Sequence, residues 1–247
     1  MTLNAERIKL QTVRSPWWTA LAVAVISLGL AAIQASTASP DSPVPPERAV
    51  IGVATFGVPV LMILSALMIT GEHRTGLIRT TFLATPQRSH VLISKAVVAA
   101  AFSGTITAVL SIASVVTVHV MVAQGWPTDP FLAESAVWRT TGAVTLYAVL
   151  GAVLAVGLGA LVRHSAAAVA VLLLTPFVIE PLLGAAPHVG EYIGPLFPFA
   201  NASTFTQVPW LQTFSLWWGP VGAGLYFAGV ALTVFVIATL VVARRDP

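Results

Sequence analysis

Six long apolar runs, separated by short polar segments, most restrict what this chain can fold into. Each run is close to the roughly 20 residues that a helix needs to cross the hydrocarbon core of a bilayer. Within lipid, every backbone N–H and C=O must be satisfied inside its own segment, so such runs predict helices. The sequence therefore predicts an all-α integral membrane protein with six transmembrane helices, at residues 17–35, 50–70, 96–122, 140–162, 166–183 and 218–242.

The composition agrees with this fold class and limits the kinds of chemical site that the chain can contain. Only 9% of the residues are charged and 57% are hydrophobic, whereas a soluble domain carries about 25% charged residues. The chain has no cysteine, which excludes disulfides, cysteine-ligated metals and thiol nucleophiles. Neither a histidine and carboxylate cluster with metal-ligand spacing nor a nucleophile elbow is visible in the sequence. We therefore predict no catalytic residue, no metal site and no enzymatic activity on this chain.

The basic residues predict the orientation, because positive charge collects on the cytoplasmic side of a membrane. With the N-terminus inside, only Arg48 and Arg139 lie outside. Both termini are therefore expected in the cytoplasm. The excess of basic over acidic residues then reflects membrane topology, and no nucleic-acid partner is expected. The ten basic residues on the inner side are Arg7, Lys9, Arg14, Arg74, Arg79, Arg88, Lys95, Arg163, Arg244 and Arg245.

The N-terminal stretch, residues 2–16, is too polar to span a membrane. Leu3, Leu10, Val13 and Trp17 fall on one helical face, although Glu6 interrupts that face. Such a segment can lie flat among the lipid headgroups as an amphipathic elbow helix. An ordinary basic flank that only sets the topology is the alternative.

Residues 71–95 form the longest predicted cytoplasmic loop, and they carry both charges and apolar side chains. Thr85 followed by Pro86 is typical of a helix start. One short helix is therefore expected to end near Ala84, and another is expected to begin at Pro86 and run into the third span. This loop is either a docking surface for a partner or a solvated connector.

A family resemblance enters with this loop and with the N-terminus. The loop has Glu72, Gly76, the run Leu77-Ile78-Arg79-Thr80-Thr81-x-Leu83, then Pro86, Arg88 and Lys95, and the chain opens with Glu6-Arg-Ile-Lys-Leu and Arg14-Ser-Pro-Trp-Trp. These segments, about thirty residues in all, resemble type-2 ATP-binding-cassette (ABC) exporter permeases. The likeness in topology extends over the whole chain.

The resemblance implies a transport subunit whose loop carries a coupling helix that docks on a separate cytoplasmic ATPase. Two ATPase copies would bind ATP and Mg, and a second permease copy or a paralogue would complete a dimer. Membrane lipid would be a further partner of this dimer in the bacterial inner or plasma membrane. This chain has no phosphate-cradling G-x-x-x-x-G-K-[ST] sequence, so no cofactor is expected on it. The implied coupling residues are Glu72, His73, Arg74, Gly76, Leu77, Ile78, Arg79, Thr80 and Thr81.

The segment 184–217 is rich in proline and aromatic residues, and it is too broken to span the membrane. The resemblance implies re-entrant short helices here before the last span, whereas an interfacial aromatic belt is the simpler interpretation. Just before this segment, Glu180 lies within the fifth run, between Pro176 and Pro181. A buried acid in a membrane is a functional candidate, so Glu180, Phe197 and Phe199 are candidates for a substrate path or gate.

Two points stay open at this stage. Gly151, Ala155 and Gly159 recur at four-residue spacing, which suits either internal helix packing or a dimer seam. Glu180 could instead be a hydrated acid near the outer interface, where the prolines break the helix. The predicted function is export of an amphipathic substrate (a drug, peptide antibiotic or lipid-linked molecule). The alternatives are an ion-coupled secondary transporter that uses Glu180 and a membrane-embedded enzyme acting on lipid.

Overall fold

The structure, a computed structural model, describes residues 2–39, 44–77, 88–123, 135–186, 188–208 and 214–244. Within these ranges the chain forms helices and no β-strand. Six helices are long and apolar enough to cross a membrane, so the prediction of a six-helix membrane protein is confirmed. The spans, in chain order, are Ser15–Ser36, Val53–Thr75, Arg88–Val122, Ser135–Val162, Ser165–Ala185 and Pro220–Arg244.

Two helices extend further into the charged segments than the apolar runs predict. The helix of the second span continues to Thr75 and ends at Gly76, whose φ of 72° is the left-handed conformation typical of a helix end. The helix of the third span begins at Arg88. Both ends of the predicted loop are therefore helical. The helix expected to run into the third span is confirmed from Arg88 onward, and the junction expected at Ala84 to Pro86 lies outside the described residues.

The N-terminal helix, Thr2–Thr12, is joined to the first span by Val13 and Arg14. Pro16 occupies the first turn of that span, where its missing N–H is harmless. The apolar face predicted for the elbow divides in the structure: Leu10 is buried, whereas Leu3, Val13 and Trp17 are exposed. Glu6, which interrupts the apolar face, is buried beside Leu10.

The glycine pattern of the fourth span packs against the second span. A Cβ added at Gly151 would lie 3.0 Å from the Met62 sulfur, and one at Gly159 would lie 2.7 Å from Cγ2 of Ile69. Both distances leave no room for a side chain. The sequence left two interpretations open, and the structure agrees with the first: these glycines take part in helix packing within the chain.

Two spans contain a single wide turn of π-helix, at Val53–Gly57 in the second span and Thr175–Ile179 in the fifth. Pro59 follows the first turn closely, and Pro176 lies within the second. The helices continue past these prolines instead of breaking, because the wider turn accommodates the missing N–H. The two turns face each other, and the rings of Phe56 and Phe177 stack with centroids 6.0 Å apart.

Short helices fill the described part of the segment between the fifth and sixth spans. They are Val189–Ile193, a 3₁₀ turn at Gly194–Leu196, and Pro198–Thr206, here called the capped helix. Their entry into the membrane stays a prediction. They pack at the end of the bundle opposite to the N-terminal helix.

Candidate functional site

Four charged side chains meet where the N-terminal helix packs against the second and third spans. Lys95 Nζ, at the start of the third span, donates to Glu6 Oε2 at 2.8 Å and to Glu72 Oε1 at 2.7 Å. Lys9 Nζ lies 3.0 Å from Glu72 Oε1 and 3.3 Å from Glu6 Oε1. These four residues, the ion cluster, include both lysines of the chain.

Burial differs sharply between the two lysines of the ion cluster. The Lys95 side chain is 1% exposed, whereas the Lys9 side chain is 51% exposed. Partial burial lowers the pKa of Lys9, but the hydrogen bond to Glu72 and the nearby charges of Glu72 and Glu6 outweigh it. The pKa of Lys9 therefore lies above its ordinary value, and Lys9 stays charged at neutral pH.

The ion cluster restrains three segments that are far apart in sequence. A buried charge is costly unless it is paired, and removing one partner of a buried pair typically costs about 3–5 kcal/mol. Lys95 therefore holds Glu6 and Glu72 together, which fastens the N-terminal helix to the last turn of the second span. Glu72 and Lys95 flank residues 78–87, so both helices that enter this segment are anchored.

The predicted coupling residues lie on both sides of the point where the helix of the second span ends. Glu72, His73 and Arg74 form its last helical turn, where Glu72 points into the ion cluster and His73 Nδ1 lies 3.0 Å from the Ile69 carbonyl. Gly76 ends the helix, and Arg74 and Leu77 are exposed. The remaining predicted coupling residues, Ile78, Arg79, Thr80 and Thr81, lie outside the described residues.

Glu180 lies at the other end of the bundle and anchors the capped helix. Its Oε1 accepts the Phe199 N–H at 3.0 Å, and its Oε2 accepts the Ala200 N–H at 2.7 Å. These N–H groups belong to the first turn of the capped helix and have no partner within it. Glu180 is only 5% exposed, so protein surrounds it, in contrast to the hydrated acid considered as an alternative.

The other predicted gate residues lie next to this anchor. Phe197 precedes the capped helix and packs edge-on against Phe214, with centroids 5.8 Å apart. Asn201 is fully buried; its amide donates to the carbonyls of Pro195 and Phe197, and its oxygen accepts the Trp218 indole N–H at 2.7 Å. The structure thus brings Glu180, Phe197 and Phe199 together around one short helix.

A small cavity of about 40 Å³ separates the capped helix from the two π-helical turns. Ligand pockets for drug-sized molecules measure about 300–1,000 Å³, so the cavity as it stands admits water-sized groups only. Its walls come from both π-helical turns, the fourth span and the capped helix: Ala54, Thr55, Pro59, Tyr147, Pro176, Phe177, Phe199, Ser203, Thr206 and Val208.

Sequence reasoning named most members of these sites but missed their contacts. Glu6 and Lys95 belong to the resemblance, yet no ion pair was assigned to them. Two signals were present: the chain has only two lysines, and Glu6 interrupts an otherwise apolar helical face. Pro59, inside the second run, marked the place of the first π-helical turn, which was also missed.

Among the residues described, no group of three or more histidine or acidic side chains is placed to hold a metal. Comparison with models of known protein families and with curated proteins gave no match. The six apolar helices by themselves define the class of this protein as a six-span α-helical membrane protein.

Proposed function

We propose that this chain is the transmembrane permease subunit of an ABC exporter, driven by a separate ATPase subunit. The observation that carries the proposal is the ion cluster. Glu6, Glu72 and Lys95 were singled out by their resemblance to such permeases, one at the N-terminus and the other two at opposite ends of the predicted loop. They meet in one buried contact, which supports a shared role for these segments.

A mechanical reason links the ion cluster to this function. An ATPase that closes on nucleotide must move the permease through a stiff connection, because a flexible loop would absorb the motion. The helices that lead into and out of residues 78–87 are both fixed at the ion cluster, together with the N-terminal helix. A push delivered between Gly76 and Arg88 would therefore reach two spans at once.

The remaining parts of the proposal follow from the charge pattern and the resemblance. Both termini and residues 78–87 lie in the cytoplasm of a bacterium, two ATPase subunits bind ATP and Mg there, and a second permease copy or a paralogue completes the transporter. The substrate is amphipathic. The small cavity between the π-helical turns and the capped helix widens into a substrate path when the two spans separate.

Ion-coupled transport through Glu180 has less support from the geometry. Both carboxyl oxygens of Glu180 accept backbone N–H groups, so the side chain has a structural partner at each oxygen. A coupled ion would have to displace at least one of these hydrogen bonds. The contacts therefore favour Glu180 as an anchor of the capped helix.

The decisive experiment is purification of the full chain in mild detergent from its native host, followed by a search for a co-purifying ATPase. We expect a stable complex that hydrolyses ATP. We also expect that Leu77→Asp and Arg79→Glu separate the ATPase from the permease without unfolding the chain. Glu72→Lys would be a poor probe, because it places a third positive charge in the ion cluster.

The matched control is Arg244→Glu, the same charge reversal on an exposed side chain at the end of the sixth span. It should leave the complex intact. If the wild-type chain purifies without an ATPase, or if Arg244→Glu dissociates the complex as fully as Arg79→Glu, the proposal fails.

A further inference from the structure

A cleft of about 440 Å³ opens between the N-terminal helix and the second span, beside the ion cluster. It is about ten times larger than the cavity at the other end of the bundle, and it falls within the usual size of a ligand site. The ion cluster forms one end of the cleft. The other end is apolar, and its wall includes Leu64, Leu67 and Met68 of the second span.

The charges that a ligand would meet in this cleft are positive. The two carboxylates are covered, with side chains 6% and 12% exposed, and both are paired to lysines. Lys9 is half exposed, and Arg74 is exposed and forms no ion pair with any described residue. An anion would therefore find two exposed cations, whereas the two carboxylates that also line the cleft are largely covered.

The first turn of the first span adds to this positive field. Ser15 and Pro16 line the cleft, and the helix that they begin has no side-chain cap. The N-terminus of a helix of this length favours a negative charge through its unpaired N–H groups and its dipole.

The apolar wall runs along the second span. Leu64 and Glu72 are eight residues apart on one helix, which is about 12 Å at 1.5 Å per residue. Leu67, Val13 and Leu77 are exposed around the cleft. A ligand that fits must carry a negative charge at one end and a hydrocarbon chain of this length at the other.

We infer that this cleft binds an anionic phospholipid, with its phosphate between Lys9 and Arg74 and an acyl chain along Leu64, Leu67 and Met68. The lipid is a resident part of the folded protein, distinct from any transported substrate. This inference rests on the proposed function only in the choice of the membrane leaflet that supplies the lipid. The bound lipid braces the N-terminal helix from the side that the ion cluster leaves open.

The test is native mass spectrometry of the full chain released from symmetric nanodiscs of phosphatidylglycerol and phosphatidylcholine in equal parts. The wild-type chain should retain phosphatidylglycerol in preference. Arg74→Gln should weaken that retention about fivefold, the usual effect of one basic side chain at an anionic lipid surface. Arg7→Gln is the control, because Arg7 is an exposed basic residue on the N-terminal helix that does not line the cleft.

A second variant, Leu67→Trp, fills the apolar half of the cleft and should abolish retention while every charge stays in place. Equal retention of the two lipids by the wild-type chain, or equal loss in Arg7→Gln and Arg74→Gln, would overturn the inference. A mass of two chains that Leu67→Trp converts to one would also overturn it, because the cleft would then hold a second copy. None of these measurements requires an ATPase or transport.

Discussion

Lys95 and Glu180 are both buried by protein, and they are stabilised in different ways. Lys95 is held by two carboxylates from other elements, whereas Glu180 is held by the backbone N–H groups of the capped helix. The sequence could single out Glu180, since it is an acid inside an apolar run. It could not identify the partners, because backbone N–H groups leave no trace in the residue pattern.

Replacing Glu180 by glutamine should destabilise the protein. The amide of glutamine offers one acceptor oxygen in place of two, so either the Phe199 or the Ala200 N–H loses its partner. An unsatisfied buried donor costs about 1–3 kcal/mol. Thermal unfolding of the purified chain in detergent should show a lower midpoint for Glu180→Gln.

Glu191→Gln provides the comparison for this change, because Glu191 is an exposed acid in the same segment. Its midpoint should match that of the wild-type chain. Equal midpoints for the two variants would mean that the two N–H contacts of Glu180 contribute nothing to stability.

At the scale of elements, the number and order of the spans could be predicted because each must cover the bilayer thickness. The end of the second span could not be predicted, because Glu72 is polar enough to look like a loop residue. A helix that runs into the third span was predicted from Thr85 and Pro86. The pairing of Glu72 with Lys95 lets both helices continue past the apolar runs. The π-helical turns were missed for a related reason: Pro59 and Pro176 indicate a local disturbance, and only the packing of the two spans selects its form.

The contact between the fourth and second spans should be sensitive to a single methyl group. In Gly159→Ala the new Cβ would lie 2.7 Å from Ile69 Cγ2 and 3.0 Å from the Ala66 carbonyl oxygen, and overpacking of this kind costs about 1–3 kcal/mol. We expect a lower unfolding midpoint in detergent.

Gly142→Ala tests the same change on the same helix, where no atom lies within 4 Å of the added Cβ. Alanine favours a helix over glycine by about 1 kcal/mol, so this variant should be as stable as the wild-type chain or more so. A midpoint for Gly159→Ala at or above that of Gly142→Ala would contradict the close packing described here.

At the scale of the whole molecule, six spans place the N-terminal helix and the capped helix at opposite ends of the bundle. The charge pattern predicts which end faces the cytoplasm, and the fold by itself does not. The proposed function likewise depends on both sequence and fold. The likeness of about thirty residues to ABC permeases suggests the function, and the fold provides the contacts that make it mechanically reasonable.

The orientation can be tested with single cysteines, because the chain has none of its own. Arg7→Cys and Glu191→Cys place one thiol at each end of the bundle, on exposed side chains. In intact cells, a membrane-impermeant maleimide should label Glu191→Cys. Arg7→Cys should react only after the cells are permeabilised. The reverse pattern would place both termini outside.

The ion cluster also has a consequence for how the chain is made. Glu6 leaves the ribosome 89 residues before Lys95, a delay of roughly 4–18 s at typical rates of synthesis. Lys9, three residues after Glu6, can pair with it during that interval. We therefore expect Lys9 to pair with Glu6 first and to neutralise its charge until the third span has been translated, when Lys95 joins both residues in the ion cluster.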